Sequence, residues 1–269
     1  MSSDAVAGLV KRITRVWVTL GIVATVVFTA WCLIAYYANA EGRRAAVGDA
    51  RVSVEHREGR WVFLPRTRPP QATGLLFYAG ALVDPRAYAR TARRLAEAGY
   101  PAVIVELPRR GAFGGAEGSP VLARGHDAMA ALPGVRCWIV GGHSRGGEVA
   151  SRHALTDPAA TAALLLVATS HPRDIDLSAL SMPVTKLVGD RDGLATPERV
   201  ARNRSRLPPQ TRWVEVPGAN HSQFGDYGFQ PGDRFARIPR ETQQRALAEE
   251  TRRLLDHVAA QSDCHASPY

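Results

Sequence analysis

The sequence predicts an α/β protein whose mostly parallel, doubly wound sheet is preceded by one N-terminal transmembrane helix. Two observations lead to this prediction. After residue 50, short continuous apolar runs alternate with amphipathic stretches, which is the pattern of buried strands separated by covering helices. Before residue 50, a long apolar stretch without charged residues stands apart from that pattern.

The apolar stretch occupies residues 16–38. As a helix it rises about 1.5 Å per residue, which is enough to cross a hydrocarbon core of about 30 Å. A cleavable signal peptide is the alternative, because Ala38-Asn39-Ala40 matches a small-x-small cleavage site and basic residues precede the stretch. The stretch exceeds the usual apolar region of about 7–15 residues in such peptides. We therefore favour an uncleaved signal anchor.

Either interpretation places the following domain outside the cytoplasm. The expected protein is a single-pass membrane protein, or a secreted one if the signal is cleaved after Ala40. The expected divisions are a short N-terminal tail (1–15), the anchor (16–38), a linker (39–50), the α/β domain (51–262) and a C-terminal tail (263–269).

Within the α/β domain, residues 51–55 and 61–64 flank a turn and predict an antiparallel hairpin. Further strands are expected at 74–78, 101–105, 136–140, 162–168, 184–188 and 212–216, with helices near 85–98, 121–132, 145–153, 197–206 and 241–260. Residues 169–183 are too few for a large cap domain, so residues 222–240 are the expected partial cover of an open site.

A Gly-rich turn follows the strand at 136–140 and precedes a helix. Its Gly142-x-Ser144-x-Gly146 spacing is the nucleophile-elbow pattern, in which a sharp turn raises the serine hydroxyl above the sheet edge. Small residues at 142 and 146 relieve crowding where the strand and helix nearly touch. Ser144 is therefore the expected nucleophile.

A serine nucleophile needs a base, and the base needs an acid that fixes its tautomer. The chain order for this kind of site is serine, acid, histidine. Asp190 and Asp192 follow one predicted strand, and His221 follows the last. We prefer Asp192 to Asp190, because the acid usually closes a Gly-x-x-Asp turn.

An oxyanion intermediate needs two backbone donors. One is expected to be the N–H of Arg145, directly after the nucleophile. The other is expected from the loop after residues 74–78, where either Gly80 or Ala81 could donate.

Three longer strings extend these motifs: LLFYAGALVDPRAYARTARRLAEAGYPAVIVELP (75–108), GDRDGLAT (189–196) and PGANHSQFGDYGFQPGD (217–233). Together they resemble the α/β-hydrolase superfamily, and within it the bacterial alpha/beta hydrolase fold-5 family, over roughly residues 50–260. The resemblance implies the α/β-hydrolase fold and a Ser144, Asp192, His221 triad. The chain departs from the family pattern at Glu106, where a lysine is expected, which affects the wall facing the substrate.

The net charge of +9 arises from 34 basic and 25 acidic residues. The basic residues are almost all scattered arginines, and no basic stripe is interleaved with aromatic residues, so nucleic acid is not an expected partner. A basic surface would instead favour contact with anionic lipid headgroups.

Neither a metal nor a cofactor is expected. Cys32, Cys137 and Cys264 have no metal-ligand or redox spacing, and Cys137 is expected to be a small buried apolar residue. His171 with Asp174 and Asp176 is interpreted as an ordinary loop rather than a metal site.

These observations predict a membrane-tethered serine hydrolase that cleaves a small-molecule ester, or less readily a thioester or amide, through an acyl-enzyme on Ser144. The alternative is a catalytically silent scaffold of the same fold that acts as a membrane-tethered binding protein. A third hypothesis is charge-driven binding to membrane surfaces, with catalysis secondary.

Overall fold

A computed structural model describes residues 3–116 and 118–261. Eight strands form one sheet in the order β1-β2-β4-β3-β5-β6-β7-β8. They are β1 Val52–Arg57, β2 Arg60–Pro65, β3 Thr73–Tyr78, β4 Ala102–Val105, β5 Cys137–His143, β6 Ala163–Val167, β7 Val184–Gly189 and β8 Arg212–Val216. The β1–β2 and β2–β4 pairs are antiparallel and all other neighbours are parallel, which confirms the predicted fold class.

The α-helices are α1 Ser3–Ala35, α2 Ala40–Ala45, α3 Ala89–Glu97, α4 Ser119–Ala130, α5 Arg145–Thr156, α6 Pro197–Ala201 and α7 Arg240–Ala259. The helix expected near 85–98 begins with a separate 3₁₀ turn, Pro85–Tyr88, where the Asp84 side chain accepts from the N–H of Arg86. The helix expected near 197–206 divides into α6 and a 3₁₀ turn at Arg204–Arg206.

Apolar layers cover both faces of the sheet. Leu75 and Phe77 of β3 face a layer that includes residues of α3 and α7, whereas Leu76 and Tyr78 face a layer that includes residues of α4 and α5. This alternation follows from the two-residue repeat of a strand. Because both faces of the central strands are covered, their sequences are continuous apolar runs.

Helix α1 lies outside this core. Its span Ala7–Cys32 is the one helix in the described part of the chain that is long and apolar enough to cross a membrane, and none of that span is buried in the protein. Residues 16–35 of the apolar stretch thus belong to a longer helix that begins at Ser3, whereas the last three residues of the expected anchor, 36–38, follow that helix.

The chain after α1 packs directly on the α/β domain. We call residues 35–46 the juxtamembrane segment. Its Ala35 carbonyl accepts from the N–H of Gly228 (2.6 Å), its Tyr36 carbonyl accepts from the N–H of Asp84 (2.9 Å), and the N–H of Asn39 donates to the Asp226 carbonyl (2.7 Å). The region expected to be a linker at 39–50 therefore contains helix α2 and is held against the domain.

Cys137 differs from its expected role as a small buried apolar residue. It is half-buried at the start of β5 and takes part in a disulfide bond, whereas Cys32 is a free thiol. The pairing could not be predicted from spacing, because a disulfide depends on the approach of two residues in space rather than in sequence. Cys264 and the predicted tail at 263–269 lie outside the described residues.

Candidate active site

Ser144 occupies a sharp turn between β5 and α5. Its backbone has φ 54° and ψ −119°, a conformation that residues with side chains rarely adopt. A Cβ atom at Gly142 would lie 2.2 Å from the Gly146 carbonyl oxygen, and one at Gly146 would lie 2.1 Å from the Tyr78 carbonyl oxygen. Both glycines are therefore required by the close approach of strand and helix, as the elbow pattern predicts.

His221 and Asp192 meet at the carboxyl ends of β8 and β7. His221 Nδ1 lies 2.9 Å from Asp192 Oδ2, and both residues are buried, with exposures of 1% and 0%. The other carboxylate oxygen of Asp192 accepts from the N–H groups of Leu194 (2.8 Å) and Ala195 (2.7 Å). The carboxylate is thus fixed, and it holds the imidazole in the tautomer that leaves Nε2 as the acceptor.

Asp190 has a different role from Asp192. Its carboxylate accepts from the N–H of Gly218 at 2.6 Å, which ties the turn after β7 to the turn after β8. Of the two carboxylates considered from the sequence, Asp192 is the one in contact with His221.

Ser144 and His221 line the same open pocket, which has a volume of about 260 Å³. His221 Nε2 is buried and has no hydrogen-bond partner among the described residues, so the bond from Ser144 Oγ to the imidazole is not formed. Such bonds are often long or poorly aligned in the absence of substrate and tighten only in the complex.

The loop after β3 distinguishes the two oxyanion candidates. The N–H of Gly80 donates to the Tyr88 hydroxyl at 3.1 Å and is therefore engaged. The N–H of Ala81 makes no hydrogen bond within residues 3–116 or 118–261. Arg145 opens α5, next to the nucleophile.

Tyr88 and His143 link this loop to His221. The Tyr88 hydroxyl lies 2.9 Å from His143 Nδ1, and His143 Nε2 lies 3.2 Å from the His221 carbonyl oxygen. Burial, and then the neighbouring His221, hold the pKa of His143 well below its usual value, so His143 is neutral. One assignment of protons satisfies every link: Gly80 N–H donates to Tyr88, Tyr88 O–H to Nδ1, and Nε2–H to the His221 carbonyl.

This chain of hydrogen bonds was missed from the sequence. His143 occupies the variable position before Ser144 in the Gly-x-Ser-x-Gly pattern, and Tyr88 has no recognisable motif. Their contact joins residues 55 positions apart.

Asp233 holds the histidine turn. Its carboxylate accepts from the N–H of His221 (3.1 Å), the N–H of Ser222 (2.8 Å) and the N–H of Gly193 (3.1 Å). It therefore joins the turn that carries Asp192 to the turn that carries His221. Asp226, which is closer to His221 in sequence, instead forms an ion pair with Arg90 at 3.0 Å.

Among the residues that the structure describes, two groups of side chains could hold a metal ion, and neither contains a residue of the expected triad. One is His126, His153 and Asp157, on α4 and at the end of α5. The other joins His171 and Asp174 to Glu148, which forms an ion pair with Arg145 at 2.7 Å. Asp176 is separate from this group, because its carboxylate accepts from the N–H of Ser178.

The fold, the elbow and the histidine–aspartate pair define a hydrolase of the α/β class. The model of the alpha/beta hydrolase family matches residues 74–245, which is more than half of the sequence. The chain therefore belongs to the alpha/beta hydrolase family. No protein of curated function matches it in sequence.

Solved structures with the same fold include an esterase and a phospholipase. Est1E from Butyrivibrio proteoclasticus is 14% identical, with a TM-score of 0.55 over 77% of this chain and 99% of Est1E. A bacterial membrane phospholipase A, described as a virulence factor, is 15% identical, with a TM-score of 0.53 over 97% of this chain and 100% of the phospholipase. At these identities the likeness shows the fold alone.

Proposed function

We propose that the protein is a membrane-tethered serine hydrolase that cleaves a carboxylic ester through an acyl-enzyme on Ser144. The observation that carries the proposal is the placement of His221. Its Nδ1 is fixed by the buried Asp192 at 2.9 Å, its Nε2 has no hydrogen-bond partner among the described residues, and His221 lines the same pocket as Ser144.

In the first half of the reaction, His221 Nε2 takes the proton of the Ser144 hydroxyl as Oγ attacks the ester carbonyl carbon. The protonated imidazole then gives this proton to the leaving alcohol, and the carbon–oxygen bond of the ester breaks. In the second half, a water molecule gives its proton to His221 and attacks the acyl group, and Ser144 recovers its proton as the acid leaves.

Negative charge develops on the carbonyl oxygen in both halves. The N–H of Arg145 and the N–H of Ala81 are the proposed donors to this oxyanion, since Gly80 donates to Tyr88. Loss of one such donor typically lowers the rate by about 10²–10³. No cofactor enters the proposed reaction.

The proposed tether is α1, with the catalytic domain on the extracytoplasmic side. The juxtamembrane segment is hydrogen-bonded to Asp84, Asp226 and Gly228, so the anchor continues into the domain without a free linker. The disulfide at Cys137 supports an oxidising compartment. Retention of the full-length protein in the membrane pellet after an alkaline carbonate wash tests the tether, whereas release would indicate surface binding driven by charge or a cleaved signal.

Labelling with a fluorophosphonate probe tests the nucleophile. The full-length wild-type protein should become covalently labelled, and Ser144→Ala should abolish labelling. Ser170→Ala is the matched control, because Ser170 lines the same pocket and its variant should label like the wild type. Labelling that persists in Ser144→Ala would refute the proposed nucleophile.

A catalytically silent scaffold is the second candidate, and the unformed bond between Ser144 and His221 is the observation that favours it. The same experiment separates the two candidates. Folded wild-type protein that stays unlabelled, with intact circular dichroism and a cooperative melting transition, would support the scaffold.

A further inference from the structure

Three arginines line the pocket beside Ser144 and His221. Arg145 begins α5, Arg173 lies in the loop after β6, and Arg199 lies on α6. No carboxylate lines this pocket in the described part of the chain. The apolar lining consists of small or aliphatic side chains, Ala168, Leu194 and Ala195.

The nearest carboxylates are already engaged by other cations. Glu148 forms ion pairs with Arg145 (2.7 Å) and Arg152 (3.4 Å), and Arg152 also binds Asp174. Of the three arginines at the pocket, Arg145 is thus the one whose charge is balanced by a neighbouring carboxylate.

In the described part of the chain, the side-chain hydrogen bonds of Arg173 and Arg199 are to neutral groups. Arg173 Nη2 lies 2.8 Å from His171 Nε2, and Arg199 Nη1 donates to the Leu194 carbonyl at 3.0 Å. Burial, and then the charge of Arg173, lower the pKa of His171 to about 3, so this imidazole is neutral. Within the described residues, neither Arg173 nor Arg199 forms an ion pair with a carboxylate.

The buried Lys186 lies on the same side of the pocket. Its Nζ donates to the His171 carbonyl at 2.5 Å and lies 5.6 Å from the centroid of the Trp213 ring. Burial lowers the pKa of Lys186 to about 7, so part of its positive charge remains at neutral pH. Lys186 thus adds positive charge behind His171, whose Nε2 also lies 3.1 Å from the Glu148 carboxylate.

We propose that Arg173 and Arg199 form an anion subsite within the catalytic pocket, and that the preferred substrate is an ester carrying a carboxylate or phosphate group near the scissile carbonyl. This inference rests on the proposed ester hydrolysis. A guanidinium binds either anion through paired N–H donors, and both arginines line the pocket that also contains Ser144 and His221.

Pairs of esters in which one member carries an additional anionic group test the subsite. Mono-4-nitrophenyl adipate is compared with 4-nitrophenyl heptanoate, since both release the same phenol and the long diacid limits attack by its own carboxylate. In a second arm, a lysophosphatidate is compared with the monoacylglycerol of the same chain in the same detergent. The full-length wild-type protein should show a higher kcat/KM for the charged member of at least one pair, and the arm that responds identifies a soluble carboxylate or a lipid phosphate as the source.

Substitution of the two arginines tests whether they cause the preference for charged esters. Arg173→Gln and Arg199→Gln should each lower the ratio of kcat/KM between the charged and neutral esters by about tenfold, which corresponds to about 1.4 kcal/mol. Arg202→Gln is the matched control, because Arg202 is exposed next to α6 and does not line the pocket, so it removes one charge and should leave the ratio unchanged.

Different results would overturn the anion subsite and the proposed ester hydrolysis. Equal or faster cleavage of the neutral esters in both arms, or a ratio that Arg202→Gln lowers as much as the other two variants, would overturn the anion subsite while ester hydrolysis stands. Absence of cleavage in every arm together with absence of fluorophosphonate labelling would overturn the proposed function, and the subsite with it.

Discussion

The proposed catalytic rim, formed by Ser144, Asp192 and His221, and the juxtamembrane segment lie in one domain but depend on different kinds of contact. At the rim, Ser144, Asp192 and His221 each follow a parallel strand directly, so the path of the sheet brings them to one edge. The juxtamembrane segment instead reaches its position through hydrogen bonds to residues far along the chain, such as Asp226 and Gly228. The rim follows from the order of strands, whereas the docking of the segment follows from surface complementarity.

The largest expected effect on activity comes from replacing Asp192, and its neighbour Asp190 serves for comparison. Asp192→Asn should lower kcat for a chromogenic ester by roughly 10⁴-fold, because an amide would stabilise the wrong tautomer of His221. Asp190→Asn is the matched control and should retain most of the activity, since Asp190 binds the Gly218 N–H rather than the imidazole. A larger loss in the Asp190 variant would contradict the assigned acid.

Crowding at the elbow gives the next effect. Gly146→Ala places a Cβ 2.1 Å from the Tyr78 carbonyl oxygen, so strand and helix must separate. We expect a loss of roughly 1–3 kcal/mol in the free energy of unfolding, with a large loss of activity. Gly134→Ala should be neutral in thermal melting, because nothing lies within 4 Å of its added Cβ. Equal melting temperatures for the two variants would show that the elbow is less tightly packed than the structure indicates.

The difference between these two regions also marks what the sequence could predict. Ser144, Asp192 and His221 could be predicted as site residues because each follows an apolar run in a recognisable turn. Tyr88 and Asp233 were missed because they act through contacts with distant segments and belong to no local pattern. For the same reason, the sequence predicts a polar linker where the structure has the docked juxtamembrane segment, because the distant residues that bind the segment cannot be identified from local sequence.

The Tyr88 hydroxyl links the Gly80 N–H in the loop after β3 to His143 beside the elbow. Removing this hydroxyl tests whether the position of the loop depends on these two hydrogen bonds. Tyr88→Phe leaves the Gly80 N–H and His143 Nδ1 without their shared partner, at a cost of roughly 1–3 kcal/mol in stability for buried polar groups. We expect kcat/KM to fall by about tenfold, less than the ~10²–10³ lost with a missing oxyanion donor, because the loop shifts but its N–H groups remain.

Tyr100→Phe is the control for that variant. It removes a hydroxyl that donates to Asp256 at 2.5 Å, far along the chain from the rim. It should change the melting temperature without changing kcat/KM. Equal kinetic losses in both tyrosine variants would show that the effect of Tyr88 is general destabilisation rather than positioning of the loop.

The smallest expected effect concerns Asp84, which holds the juxtamembrane segment from the domain side. Its carboxylate accepts from the Ala38 N–H at 3.3 Å and from Arg86 Nη2 at 2.7 Å. Burial acts to raise the pKa of Asp84, but the hydrogen bonds and charge of Arg86 outweigh it, so the pKa is lowered. The stabilisation is therefore complete above the pKa of the unfolded chain, about 3.9 for an aspartate, and is lost as the pH falls through the folded pKa.

Amide hydrogen exchange of the juxtamembrane segment measures this effect. At neutral pH, Asp84→Asn should speed the exchange of residues 36–46 by an amount corresponding to roughly 0.5–1.5 kcal/mol, the usual worth of a hydrogen bond. On acidification, the wild-type segment should lose its additional protection and approach the variant measured at the same pH. If the wild type kept its advantage well below the folded pKa of Asp84, the segment would be held by its backbone hydrogen bonds alone, and the carboxylate would contribute nothing to docking.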